Sequence, residues 1–170
     1  MSNPQYPSQQ PYPSQQPYPQ QPQSWQGEPP LWAPYYGAPF QAAVKRFYKK
    51  YATFTGRASR SEYWWWTLVS VVVSIILNII ISVGTTSTSS ISSTPQYGPG
   101  AIFGLILLVI WGLATIVPSL ALSVRRLHDS NKSGWLLLLG LIPFLGGIIL
   151  LVFMVLGPDP AGQRFDQPSS

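Results

Sequence analysis

The sequence predicts an all-α, polytopic integral membrane protein. Three transmembrane helices are expected, preceded by a disordered Pro/Gln/Tyr-rich tail and a short interfacial amphipathic helix. Three observations lead there. Only 15 of the 170 residues are charged, 9%, against roughly 25% in a typical globular protein. No charged residue occurs between Glu62 and Arg125, nor between Lys132 and Asp159. A water-soluble surface cannot be built from such stretches, because Lys, Arg, Asp and Glu are what normally cover one. The first 44 residues, by contrast, hold 11 of the 18 prolines and a single charge, Glu28.

Residues 1–43 read as the tail. Within them a hexad recurs, Gln5-Tyr6-Pro7-Ser8-Gln9-Gln10 and then Pro11-Tyr12-Pro13-Ser14-Gln15-Gln16. Six residues are too few for a packed unit. Proline at this density removes backbone donors and favours polyproline II, so the tail should stay extended and solvated. Regularly spaced Tyr and Pro also suit an aromatic-lined groove, which leaves a protein partner for the tail as a second reading. With neither a basic n-region nor an apolar h-region at the N-terminus, no cleaved secretory signal is expected.

Residues 44–63 form the next segment. Val44, Phe47, Tyr48 and Tyr51 fall at i, i+3, i+4 and i+7, one face of a helix. Lys45 with Lys49, and Arg46 with Lys50, make i,i+4 basic rows on the other faces. Aromatics on one side and cations on the other predict a helix lying in the membrane interface.

The membrane domain, residues 64–156, contains three apolar spans: 64–83, 101–122 and 135–156. At about 1.5 Å per residue each covers roughly 30–33 Å, the depth of a hydrocarbon core. Trp64, Trp65 and Trp66 open the first span and Trp135 the third, as aromatic anchors do. Residues 157–170 are a short C-terminal tail. Six basic residues precede span one, three lie in the 123–134 loop and one follows span three, while the 84–100 loop has none. The positive-inside rule therefore puts the N-terminus in the cytoplasm of an inner or plasma membrane, and three full crossings put the C-terminus outside. Pro143 and Gly146-Gly147 interrupt span three, so a re-entrant hairpin returning the tail to the cytoplasm is the alternative.

Within span one, Ser70, Ser74, Asn78 and Ser82 recur every four residues. In lipid such a polar ridge should face protein, so these four are candidate helix-packing residues, toward span two or a second copy in a homo-oligomer. Gly112, Thr115 and Ser119 are the candidate mates, with Pro118 bending their helix. Gly100-x-x-x-Gly104 is a weak dimerisation signal at the span's edge. A permeation path would need several copies, because three helices leave no lumen and no span carries a charge.

The most distinctive strings lie at the inner interface. One runs Phe54-Thr55-Gly56-Arg57-Ala58-Ser59-Arg60-Ser61-Glu62-Tyr63-Trp64. The other runs Arg125-Arg126-Leu127-His128-Asp129-Ser130-Asn131-Lys132-Ser133-Gly134-Trp135. Topology places both on one membrane face. Glu62, two residues from the hydrocarbon boundary, should seek Arg125 or Arg126, leaving Arg57 and Arg60 for lipid phosphate. The seven residues Arg57, Arg60, Glu62, Arg125, Arg126, His128 and Asp129 are thus a candidate pocket for an anionic headgroup or a partner segment. His128 and Asp129 beside Ser123 and Ser130 invite a relay reading, but sequence neighbours seldom reach the geometry a Ser-His-Asp triad needs.

These two strings resemble the small bacterial inner-membrane proteins of domain-of-unknown-function family 805, the YhaH-like proteins, over residues 47–168. A third family string is met loosely by Gly157, Gly162, Gln163, Arg164, Phe165 and Asp166, with Gln for Asn and Asp for Gly. The resemblance implies a polytopic membrane protein and no agreed activity. No cysteine is present, which excludes disulfides and thiolate chemistry, and one histidine leaves too few ligands for a zinc or haem site. No cofactor or metal is expected. The net charge of +5 sits beside hydrophobic segments, a pattern for anionic lipid contact and not for nucleic acid. The expected function is a non-enzymatic scaffold, regulator or envelope-associated interaction protein. The alternatives are a subunit of a homo-oligomeric channel or transporter and an enzyme acting on lipid headgroups.

Overall fold

A computed structural model describes residues 27–86 and 96–166, so the hexad repeats fall outside the described residues. The membrane-embedded body is built on two long apolar helices, α2 (Arg60–Gly84) and α3 (Pro99–Asp129). They lie antiparallel, joined beyond Gly84 by a short pairing of β1 (Thr85–Thr86) with β2 (Gln96–Tyr97). Large apolar side chains such as Val71, Ile75, Ile79, Ile106, Val109 and Leu113 face outward along both helices. That surface is unfit for water and suited to lipid.

Between α2 and α3 the contact is made by Trp66, whose indole nitrogen donates to the Ser119 hydroxyl at 3.2 Å, and by Leu77. Gly104 lies against Ile80 and Ile81 and Gly100 against Gly84, so both glycines of the expected Gly-x-x-x-Gly dimer signal face α2 within the chain. Pro118 sits within α3, which continues unbroken to Asp129. Proline cannot donate to the Ala114 carbonyl four residues back. The Tyr51 hydroxyl does so instead, at 3.0 Å.

Three expectations are corrected. The first concerns the tail boundary at residue 43. Helix α1 (Phe40–Lys49) starts earlier, and Ala33, Pro34 and Ala38 ahead of it are already buried. The second concerns the face of that helix. Phe47 is buried and stacks on Trp66, and Tyr51 reaches α3, so part of this face meets protein, while Tyr48 and Tyr51 stay exposed. Arg46, expected on a solvated face, is 1% exposed. The segment before α1 supplies the packing partner that the sequence did not reveal.

The third correction is the largest: span three is not one continuous helix but folds back on itself. A 3₁₀ helix, Gly134–Leu141, leads in, and α4 (Leu145–Val155) leads back. At about 2.0 and 1.5 Å per residue, eight and eleven residues each reach roughly 16 Å, half a hydrocarbon core. The turn falls at Ile142–Phe144, where Phe144 takes a positive φ of 60°. Gly146 follows, so close to the Leu139 carbonyl that no side chain would fit. The return is fixed by Arg126, which donates to the Met154 carbonyl at 3.1 Å and to that of Leu156. A cation placed there satisfies carbonyls that the end of α4 leaves open. The C-terminal segment then lies beside the ends of α2 and α3 that carry the charged strings.

Candidate functional site

At that end the chain brings together α1, the start of α2, the end of α3 and the 3₁₀ helix Pro160–Phe165. Two buried ionic layers result.

The first layer is centred on Glu62. Ser59 caps α2 and accepts from the Glu62 amide at 3.2 Å, while the Glu62 carboxylate accepts from the Ser59 amide at 2.9 Å. This reciprocal pairing satisfies two donors that a helix start leaves open. The same carboxylate accepts from the Tyr35 amide at 3.2 Å and from Arg46 Nε at 2.7 Å. The partner of Glu62 is therefore Arg46, not Arg125 or Arg126. Arg46 also donates to the carbonyls of Pro29, Pro30, Leu31 and Ala33, which ties the segment before α1 to α2. Arg125 lies in this layer with its Nε on the Ala121 carbonyl at 3.2 Å. Burial pushes its guanidinium down to about 10, with nearby Glu62 opposing.

Asp129 centres the second layer. Its carboxylate accepts from Arg126 at 2.8 Å and from the Tyr36 hydroxyl at 2.6 Å, with Arg57 at 3.7 Å. Burial pushes the Asp129 carboxyl up, while Tyr36, Arg126 and Arg57 pull against it. Burial and the bond to Asp129 push the Tyr36 phenol up as well. Arg57 is held by Asp166 through two parallel bonds of 2.9 and 2.7 Å, the geometry that makes guanidinium–carboxylate pairs strong. Arg57 is thus buried and engaged, not left for lipid. Arg60 is exposed and close only to the Val155 carbonyl, at 3.5 Å.

The C-terminal string closes the site. Asp159 donates its amide to the Asp129 carbonyl at 2.8 Å, and Gly56 donates to the Phe165 carbonyl at 3.0 Å. Gly56 adopts a φ of +79° against the Trp32 carbonyl, a conformation that only glycine takes without strain. Gly162 packs so tightly on the His128 carbonyl that a Cβ would sit 2.5 Å away. Phe165 stacks on the His128 ring, 4.0 Å between centroids. His128 Nδ1 lies 3.1 Å from the Gly56 carbonyl. Burial lowers its pKa, Arg164 adding and Gly56 opposing, and facing a carbonyl Nδ1 is the donor. The hydroxyls of Ser123 and Ser130 donate to the carbonyls of Ser119 and Leu127, and neither bonds the imidazole.

A family model described as "Protein of unknown function (DUF805)" matches residues 51–167. The chain belongs to this family. The DUF805 match contains both charged strings and the C-terminal string, whereas Arg46, Tyr35 and Tyr36 lie ahead of it. The chain is 40% identical over 120 residues to "Inner membrane protein YhaI" of Escherichia coli (strain K12), covering 69% of this chain and 86% of the relative. It is 35% identical over 117 residues to "Inner membrane protein YhaH" of the same organism, covering 69% and 87%. No solved structure matches.

The expected seven-residue pocket is therefore divided. Glu62 and Arg125 belong to one layer, Asp129, Arg126 and Arg57 to the other, and His128 flanks the second. The polar ridge has a different place. Ser70, Ser74, Asn78 and Ser82 line an open lateral groove with Trp66, Ser119 and Leu122, beside the α2–α3 contact that Trp66 and Ser119 make. Asn78 donates back to the Ser74 carbonyl at 2.8 Å. Of the candidate mates, only Ser119 meets α2, through Trp66; Thr115 donates to its own helix at Trp111, and nothing packs on Gly112. Tyr35 and Tyr36 were not singled out in the sequence, and Arg46, Phe165 and Asp166 were noted there but not placed in the site. Ser59-x-x-Glu62, a capping-box spacing, was the signal available for the first layer.

Proposed function

We propose that this DUF805 chain is a non-catalytic interaction protein of a bacterial inner membrane. Both termini face the cytoplasm, and the charged cap lies on anionic headgroups while holding the N-terminal repeats at the membrane surface for a protein partner. The observation that carries this reading is the distribution of charge. With the hairpin returning, all ten basic and all five acidic residues lie at one end of the helices. Six basic residues, three loop residues and Arg164 then share one side, which is the cytoplasmic side under the positive-inside rule. Lys45, Lys49, Arg60 and Arg164 are exposed there, free to meet lipid phosphate. The engaged serine hydroxyls and the His128 ring, stacked on Phe165 with Nδ1 at the Gly56 carbonyl, support a non-catalytic role. The inner membrane is also the location in the printed names of the relatives.

Topology can be read by labelling, because the chain has no cysteine of its own. Ser90→Cys should react with an impermeant maleimide on intact cells, and Ser170→Cys only after lysis. Function is tested in nanodiscs of mixed phosphatidylethanolamine and phosphatidylglycerol, by native mass spectrometry of the lipid retained. Phosphatidylglycerol should be enriched, and K45Q/K49Q/R60Q should lose that enrichment. Labelling of residue 170 from outside, ion flux in vesicles, or a lipid product lost on His128→Ala would each overturn the reading.

A further inference from the structure

Every carboxylate near the first ionic layer is committed. Glu62 serves Ser59, Tyr35 and Arg46. Glu28 stands at the rim, 3.6 Å from Arg46 and 4.0 Å from Lys45. Asp129 and Asp166 are taken by Arg57, Arg126 and Tyr36. Two cations remain inside. Among the described residues the Lys50 ammonium and Arg125 Nη2 have no hydrogen-bond partner, although Lys50 is 3% and Arg125 1% exposed. An ion removed from water without a counter-charge is among the costliest arrangements a protein can hold. Arg46 and Arg125 both bear on Lys50, so the cations share one region and repel one another.

The region borders a cavity. Lys50 forms part of the wall of a space of about 510 Å³, together with Lys49, Thr53, Thr55 and Gly56 and the strand of chain at Pro30–Trp32. Its wall residues include two lysines and two threonines and no acidic residue, and the Lys50 ammonium lies just behind that wall, sealed from solvent. Three features coincide: unpaired buried cations, a cavity beside one of them, and a lining of donors. We propose that this cavity binds a phosphate group, with Lys50 as its principal ligand, Thr53 and Thr55 as hydroxyl donors and Arg125 as the supporting charge behind. The bound oxyanion is the missing counter-charge of the first layer. Inorganic phosphate and the phosphate of a lipid headgroup share this chemistry. The site shares Lys49 with the exposed basic surface, but Lys45, Arg60 and Arg164 lie outside its wall, so K45Q/R60Q/R164Q probes that surface alone.

The test uses the full chain, delipidated in an uncharged detergent, and follows thermal unfolding with inorganic phosphate against chloride at equal ionic strength. A second arm uses nanodiscs of phosphatidylcholine with and without phosphatidylglycerol. Phosphate, or phosphatidylglycerol alone if the source is a headgroup, should raise the Tm. Lys50→Met and Arg125→Gln should each abolish the rise or weaken binding about tenfold or more, as loss of a charged ligand does. Should either fail to fold, T53V/T55V changes only exposed positions and should weaken the response in the same direction. The proposal is overturned if neither phosphate source raises the Tm, or if the rise survives these substitutions. If neither source raises the Tm of the unsubstituted chain while phosphatidylglycerol enrichment in nanodiscs persists, this site alone fails.

Discussion

The two ionic layers lie side by side under one membrane face and are balanced differently. Around Asp129, two guanidinium groups meet two carboxylates, and Tyr36 fills the remaining acceptor. Around Glu62, three buried cations, Arg46, Lys50 and Arg125, share one buried carboxylate. A balanced layer holds elements together. Here it ties the loop before α2, the end of α3 and the C-terminal segment into one unit. An unbalanced layer costs stability until something enters it, so it marks where a ligand belongs. Both layers use Arg and carboxylate at similar burial, and only the count of charges separates their roles.

The largest effect should come from breaking the balanced layer. Asp129→Asn leaves the buried Arg126 with the Met154 and Leu156 carbonyls but no counter-charge, and removes the charge facing Arg57. Loss of one member of a buried pair costs about 3–5 kcal/mol. Unfolding in detergent should show that loss, and protease should gain access to residues 157–166, which Asp129 and Arg57 hold down. Retention of wild-type stability would mean that carbonyl contacts alone seat the C-terminal segment.

A smaller effect, with a definite sign, should come from the unbalanced layer. Burial pushes Lys50 down to about 7, aided by Arg125 and Arg46 and opposed by Glu62 and Asp166. The unfolded chain keeps its lysine protonated up to the ordinary value of 10.5. Between about pH 7 and that value the unfolded state binds the extra proton, so stability should rise with pH. In phosphate-free detergent the Tm should therefore climb from pH 7 to 9, and Lys50→Met should flatten the climb. Phosphate should flatten it too, by keeping Lys50 charged in the fold. A Tm that falls over this window would place Lys50 among satisfied cations.

What the sequence made legible follows the same division. The membrane-embedded α2 and α3 are visible as uncharged runs, because lipid tolerates nothing else over that length. The side on which charge gathers is visible by counting. Ion-pair choice is not. Glu62 had Arg125 and Arg126 as neighbours in the predicted topology, yet Arg46 reaches it, because α1 packs on α2 through Phe47 and Trp66. The hairpin shows only as Pro143 and two glycines. Its return depends on Arg126 reaching carbonyls 28 and 30 residues away, which no periodicity encodes. Asp166 shows in the sequence only as Asp in place of Gly in the family string, and nothing in that spacing reveals its carboxylate as the two-bond partner of Arg57.

The smallest change sharpens the boundary between the layers. Ser59 accepts from the Glu62 amide and donates to the Tyr35 carbonyl at 2.6 Å, so it supports the first layer without carrying charge. Ser59→Ala removes one helix cap, a loss of about 1 kcal/mol. The Glu62 carboxylate keeps its bond to Arg46, and nothing in the second layer is touched. A small drop in Tm should result, with protease resistance of residues 157–166 and the phosphate response both unchanged. If this uncharged substitution instead releases the C-terminal segment as Asp129→Asn does, the two layers unfold as one unit. The unpaired cations would then be part of the price of the clamp, not the mark of a separate site.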